Sequence, residues 1–195
     1  MKLFDMFDTA DININDPGLK GYISLEPRLL IKSHGRIRAR FAKAKMNIIE
    51  RFITHLGVPG HRGKKHRIMT SRSSGKYNKN AKIMINALKE IERKTGKNPI
   101  QILIKAVENS APRDGVTVIE YGGARYPQAV DLSPARRVDL AVRLLVHGAY
   151  DKAFNKKATI TQGLVSEIIA ASQNLSESLA VQKRNESEKQ ADSAR

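Results

Sequence analysis

The sequence predicts a mainly α fold, a compact helical bundle of about six helices from which one β-hairpin projects. Three observations carry this expectation. Apolar residues recur at steps of three and four along most of the chain. Two of these stretches open on a cap followed by proline, Asn98-Pro99 and Ser133-Pro134. Only one run is rich in β-branched residues, and it centres on Gly122-Gly123. With 41% hydrophobic residues in 195, the chain can bury a core of single-domain size.

Residues 1–19 hold one base and four acids and end in the turn formers Asn15, Asp16, Pro17 and Gly18, so they are expected as an acidic, peripheral N-terminal arm. A single helical domain follows over 20–180. From Ile37, the residues Phe41, Ala44, Ile48 and Phe52, with Ile49 or Leu56, share one face of a helix that Gly57 and Pro59 stop. Arg36, Arg38, Arg40, Lys43, Lys45 and Arg51 fall mostly off that face, so the same helix can offer its cations outward. Residues 57–80 are rich in Gly, Ser and bases with little periodicity, and they read as a basic loop. A solvated linker is the plain reading of such a loop, but its density of Arg, Lys and His favours a segment ordered by phosphates.

A helix is expected over 81–95, with Ile83, Ala87, Leu88 and Ile91 inward and Gly96 ending it. Asn98 and Pro99 open the next, whose stripe is Ile100, Leu103, Ile104 and Val107; Pro112 closes it. Over 115–132, Val116 to Tyr121 and Ala124 to Leu132 flank the glycine pair as a β-hairpin. Pro127 lacks an N–H donor, which makes this an edge or isolated ribbon that helices or a partner must support. Arg125 and Tyr126 sit just past its tip. Ser133 and Pro134 start a helix with Val138, Ala141, Val142, Leu145 and Val146 inward, and Arg136 and Arg137 in its first turn oppose the helix dipole unless an anion lies near. A short piece follows at 150–157. A last helix from about Thr161 carries Leu164, Ile168 and Ile169, then Leu175 and Leu179. Residues 181–195 show no apolar face and are expected as a frayed or disordered polar tail.

Charge narrows the function. The net charge is +16, and residues 20–80 hold sixteen Lys and Arg against only Glu26 and Glu50, a surplus of fourteen. So concentrated a positive field attracts polyanions, because each phosphate contact releases a condensed counterion. Aromatic residues are 5% and Trp is absent, which disfavours a broad stacking platform for single-stranded bases. Without cysteine there is no disulfide, zinc ribbon or thiol nucleophile. The apolar runs are too short to span a membrane, and the acidic start lacks the basic character of a signal peptide, so a soluble, cytoplasmic protein is expected.

No enzyme is expected. SRSSGK ends like a phosphate loop, but Thr70 stands where the first Gly is required and Tyr77 where Ser or Thr would bind magnesium. His55, His61 and His66 lie among bases with no carboxylate or Cys, which suits phosphate or solvent better than a metal. Asp131, Asp139 and Asp151 are scattered with no visible partner. No cofactor or metal is expected. An RNA-modifying enzyme ranks last, and a DNA- or RNA-binding architectural protein remains the alternative, since composition cannot separate the two polymers.

The stretch NPIQILIKAVENSAPRDGVTVIEYGGARYPQAVDLSPARRVDLAVRLLVHGA resembles the core signature of the small-subunit ribosomal protein seven family, in which NPxQ, AVxNxxPR, GGxxY and RRxxLA occur in this order. The resemblance runs from about Ile31 to Leu179, and HRGKKHR with its long basic loop is similar to the archaeal type. It implies a mostly helical fold with a projecting β-ribbon that binds the 3′ major domain of small-subunit rRNA and nucleates assembly of the head. Family rRNA contacts correspond to Arg36, Arg38, Arg40, Lys43, Arg62, Lys64, Lys65, Arg67, Arg72, Lys76, Arg113, Arg136 and Arg137. The ribbon, with Gly122, Gly123, Arg125 and Tyr126, would approach exit-site tRNA and mRNA. Leu175 and Leu179 would face the neighbouring small-subunit protein eleven.

Overall fold

A computed structural model describes residues 2–4, 6–26, 42–62, 67–68 and 72–195, with the backbone alone at 61, 62, 67 and 68. In chain order its elements are β1 (Lys2–Leu3), β2 (Phe7–Asp8), α1 (Pro17–Lys20), a 3₁₀ turn (Ala42–Lys45), α2 (Ile48–Leu56), β3 (His61–Arg62) and β4 (Arg67–Ile68). They continue with α3 (Tyr77–Thr95), α4 (Pro99–Ser110), β5 (Asp114–Tyr121), β6 (Ala124–Asp131), α5 (Pro134–Ala153), α6 (Ile160–Ser172) and α7 (Leu179–Asp192). The fold is mainly α with a projecting β-hairpin, as the sequence predicts, and two further short antiparallel pairs, β1–β2 and β3–β4, join it among the described residues. No helix among the described residues is long and apolar enough to cross a membrane.

Where cap chemistry is local, the helix ends follow the sequence. Asn98 accepts a hydrogen bond from the Ile100 N–H at 3.0 Å and Pro99 follows. Gly96 ends α3 at φ 64°, in the left-handed region where it carries no Cβ penalty. Pro134 opens α5, although the Ser133 hydroxyl makes no capping bond. Thr159 and Gln162 form a reciprocal capping box at α6.

Several expectations are corrected. The helix expected from Ile37 begins at Ile48, because Asn47 caps it at Ile49 and reaches back to the Glu26 carbonyl, while the Ile48 N–H donates to Ser24. Ile37 and Phe41 lie outside the described residues. Within the expected loop 57–80, β3 pairs with β4, and α3 starts four residues early, its first turn tied back by the Asn80 side chain donating to the Ser73 carbonyl. The helix expected to run through Leu179 breaks at Asn174, whose φ is 57°. The polar tail beyond it is helical. α7 has almost no apolar stripe, but it buries Ala180, Val181 and Ala191 and docks through polar groups, so burial alone did not announce it.

The acidic leader is not peripheral. Leu3, Phe7 and Leu19 are buried with the core, and the polar face of α4 stitches the rest down. Asn98 donates to the Asp8 carbonyl, Gln101 exchanges two hydrogen bonds with the Asn13 backbone, and Glu108 accepts from the Asn15 and Asp16 N–H groups. Residues 98, 101 and 108 share one side of α4.

α6 lies at the centre, packed against α3, α4, α5 and α7. Its Glu167 is fully buried. The carboxylate meets Lys152 of α5 at 2.7 Å, accepts from the Ser178 hydroxyl at 2.7 Å, and accepts from the Ala180 N–H at 3.1 Å in the first turn of α7. A Cβ at Gly148 would stand 2.5 Å from that carboxyl carbon and displace it, and a Cβ at Gly163 of α6 would stand 2.6 Å from the Ala149 carbonyl oxygen of α5, so the two helices approach this closely only with glycine at 163.

Glu167→Ala leaves Lys152 and the start of α7 without their common acceptor. A loss of about 3–5 kcal/mol is expected, as for breaking a buried ion pair from one side. Urea unfolding with circular dichroism measures it; a loss below about 1 kcal/mol would show that α7 docks without this carboxylate.

Candidate nucleic-acid interface

The described cations divide into those turned inward and those left outward. Arg51 was expected among the outward group, yet its side chain is 4% exposed. It donates to the Tyr22 carbonyl at 3.0 Å and to Asp139 Oδ1 at 2.9 Å. Asp139, which has no visible partner in the sequence, therefore joins α5 to α2. Lys43 approaches the same oxygen at 3.5 Å but keeps about half of its side chain in solvent.

Around that carboxylate, Lys43, His55, Arg136, Leu140 and Arg143 line a small cleft of about 160 Å³ between α2 and α5. Arg136, Asp139 or Leu140, and Arg143 recur at helical spacing, which puts them on one side of α5. Burial lowers the pKa of His55, with the charges of Lys43, Arg51 and Arg143 adding to it against the pull of Asp139. The imidazole is thus neutral at pH 7, a hydrogen-bonding group at the edge of exposed cations. His55 and Arg143 are not among the residues the resemblance picks out; the i, i+7 spacing of Arg136 and Arg143 is the sequence signal for the latter.

Arg137 does something else. Its guanidinium donates to Asp16 Oδ2 at 2.8 Å and to the Pro112 carbonyl at 3.2 Å, and it is 12% exposed. The anion that a cation in the first turn of α5 calls for is supplied from within the chain, by the leader. Burial would raise the Asp16 carboxyl, but hydrogen bonds from Arg137 and the Gly18 N–H, with the charges of Arg137 and Arg113, outweigh it and hold it below its ordinary 3.8.

Of the other residues singled out in the sequence, Arg72 and Lys76 are exposed in the turn before α3, and Arg113 is exposed at the base of the ribbon. Arg62 and Arg67 face each other in the β3–β4 backbone register. Arg36, Arg38, Arg40, Lys64, Lys65 and His66 lie outside the described residues. Among the described residues no group of three His, Cys, Asp or Glu could hold a metal ion.

β5 and β6 pair in unbroken antiparallel register from Asp114↔Asp131 to Tyr121↔Ala124, and Gly122 and Gly123 close the turn with φ of 57° and 80°. Consecutive strand residues alternate in side. Arg125, opposite Glu120, and Tyr126, opposite Ile119, therefore point to different faces. The Arg125–Glu120 pair is loose, at 3.6 Å with both side chains mostly exposed. Tyr126 shares its face with Ile119 and with Tyr121, which is 81% exposed. In the sequence Tyr121 marks only a strand, but its i, i+2 relation to Ile119 puts a second ring beside Tyr126.

The base of this ribbon is held by α7. Glu188 accepts from the Arg113 N–H, the Ser187 hydroxyl donates to the Asp114 carbonyl, Arg195 meets the Asp114 carboxylate at 2.8 Å, and the Ala129 N–H donates to the Ala194 carbonyl. The free ribbon is thereby aimed from a fixed root.

Comparison with known proteins finds a matching family and several relatives. Residues 27–195 match the family described as Ribosomal protein S7p/S5e. Three curated relatives are each called small ribosomal subunit protein uS7. That of Nanoarchaeum equitans is 47% identical over 100% of this chain and 99% of its own length. Those of Methanosphaera stadtmanae and Archaeoglobus fulgidus are 42% and 43% identical, each over 99% of this chain and over 98% and 94% of their own lengths.

The Asp16–Arg137 contact predicts an acid limb of stability. A carboxyl held below 3.8 contributes fully above that pH, and its contribution disappears as the pH falls through the lower folded value. Asp16→Asn should lower stability at pH 6 and flatten its fall on acidification, read as thermal midpoints from pH 6 to pH 2. Parallel curves for the two proteins would mean that the contact is not coupled to folding.

Proposed function

The chain belongs to the Ribosomal protein S7p/S5e family, and from that membership we propose that it is a structural constituent of the small ribosomal subunit that binds the 3′ major domain of small-subunit rRNA and nucleates assembly of the head. The observation that carries the reading is the outward set of cations at the α2–α5 cleft. Lys43, Arg136 and Arg143 surround one opening, and the cation-rich stretch 27–41 runs directly into the 3₁₀ turn that carries Lys43. Phosphate contacts of this kind position RNA without reading its bases.

The ribbon takes a second role. It projects with both faces exposed and with glycine at its tip, a form suited to entering a narrow space beside RNA, and we assign it to the path of exit-site tRNA and mRNA. Tyr121 and Tyr126 offer stacking surfaces and Arg125 a cation. Leu175, 42% exposed in the turn before α7, with the half-buried Leu179, is assigned to the contact with protein eleven. The setting is the cytoplasmic ribosome, and the reading includes no catalysis and no cofactor.

Binding to a fragment of the 3′ major domain, titrated with salt and challenged with excess unrelated RNA and duplex DNA, is the test. Selective retention of the fragment is expected. Equal displacement by both competitors would favour a nonspecific architectural protein.

Deleting Gly122 and Gly123 with their flanking residues should leave affinity for the same fragment within about twofold, or about 0.4 kcal/mol, while subunits carrying the variant hold tRNA or mRNA poorly. Loss of fragment binding would make the ribbon an anchor instead.

A further inference from the structure

We propose that the outer face of α3 is a second surface for an RNA strand, separate from the α2–α5 cleft. Lys79, Lys82, Asn86, Lys89 and Arg93 follow one another at steps of three, four, three and four. At 3.6 residues per turn they fall within an arc of about 80° and extend about 21 Å along the helix. All five are exposed. The buried Met84, Ala87, Leu88 and Ile91 occupy the opposite side, against α2, α4 and α6.

The row has one sign. Glu90 flanks it, but Lys94 holds that carboxylate at 2.9 Å, and among the described residues Lys79, Lys82, Lys89 and Arg93 enter no ion pair. Like charges three or four apart weaken a helix, so a face that serves solubility alone mixes signs. α7 shows that mixture in the same molecule, with Lys183 meeting Glu186 at 2.6 Å and Arg184 near Glu188 at 3.8 Å.

The row also indicates its occupant. It holds no large exposed apolar side chain. A protein partner would lack the buried anchor that an interface centres on, and a lipid surface would lack an apolar face to take up. A straight line of cations fits successive phosphates of one strand, and Asn86 at its middle offers a donor and an acceptor for a 2′-hydroxyl or a base edge. At its N-terminal end the row continues from Arg72 and Lys76, so a strand held by the basic stretch can run on along α3.

The inference rests on the RNA-binding reading above. Its test is the salt dependence of binding to whole small-subunit rRNA for the full chain and for Lys82→Ala/Lys89→Ala/Arg93→Ala. Alanine keeps the helix, and unchanged circular dichroism verifies it. The slope of log affinity against log salt should shrink by about two to three units. Removing three other exposed cations, Lys156, Lys157 and Lys183, should shrink it by less than about one. An unchanged slope for the α3 variant, or an equal loss for the control, overturns the proposal. Failure of the broader reading looks different: the unaltered chain would bind rRNA no better than an unrelated RNA, and the same slope comparison on that RNA would still decide the α3 surface.

Discussion

A single buried carboxylate organises the second half of this molecule. Glu167 lies where α5, α6 and α7 converge, with a cation from the first, a place on the second, and a hydroxyl and an amide from the approach to the third. A carboxylate out of water is tolerated only when it is paired and hydrogen-bonded, and here Lys152 faces one oxygen while the Ser178 hydroxyl and the Ala180 N–H, two residues apart, donate to the other. Without that acceptor, the Ala180 N–H in the first turn of α7 would be orphaned beside an unpaired Lys152. Since α7 roots the ribbon and the leader lies against α4, the carboxylate acts at one remove on surfaces far from it.

The same economy governs the cations. Arg51 and Arg137 hold α2 and the leader to α5 through Asp139 and Asp16, while Arg136 and Arg143 are turned outward from the same helix as Arg137. Neighbouring arginines on one helix thus serve opposite ends. Inward ones spend their hydrogen bonds on carbonyls and carboxylates; outward ones keep theirs for a polyanion. A scaffold with this much like charge needs such internal anions, because self-repulsion would otherwise open the face that presents the cations.

How much of this was legible in the sequence follows from the range of the interactions. Asn98-Pro99, Gly96 and the glycine pair act over a few residues, and the boundaries they set stand where the sequence puts them. Periodicity likewise identified the buried side of α3, α4, α5 and α6. The start of α2 was misread because Ile37 and Phe41 continue the right spacing, whereas Asn47 and its bond to Glu26 override it. The fate of the polar tail was not legible, since Ser187, Glu188 and Arg195 have partners 73 to 81 positions away and no periodicity encodes them. Of the interface, the glycine turn and the exposed Arg136 were readable. That Arg137 is consumed by Asp16 was not, because residue type alone does not distinguish a tether from a contact.

Those long separations have a consequence in time. A ribosome extends the chain from its N-terminus, so β5, β6 and their turn are made before the residues of α7 that root them. Until then the ribbon is two strands with neither face covered, a form of marginal stability on its own. Its final direction is acquired late, when α7 folds against Arg113, Asp114 and Ala129. The chain completes its scaffold first and aims its pointer last.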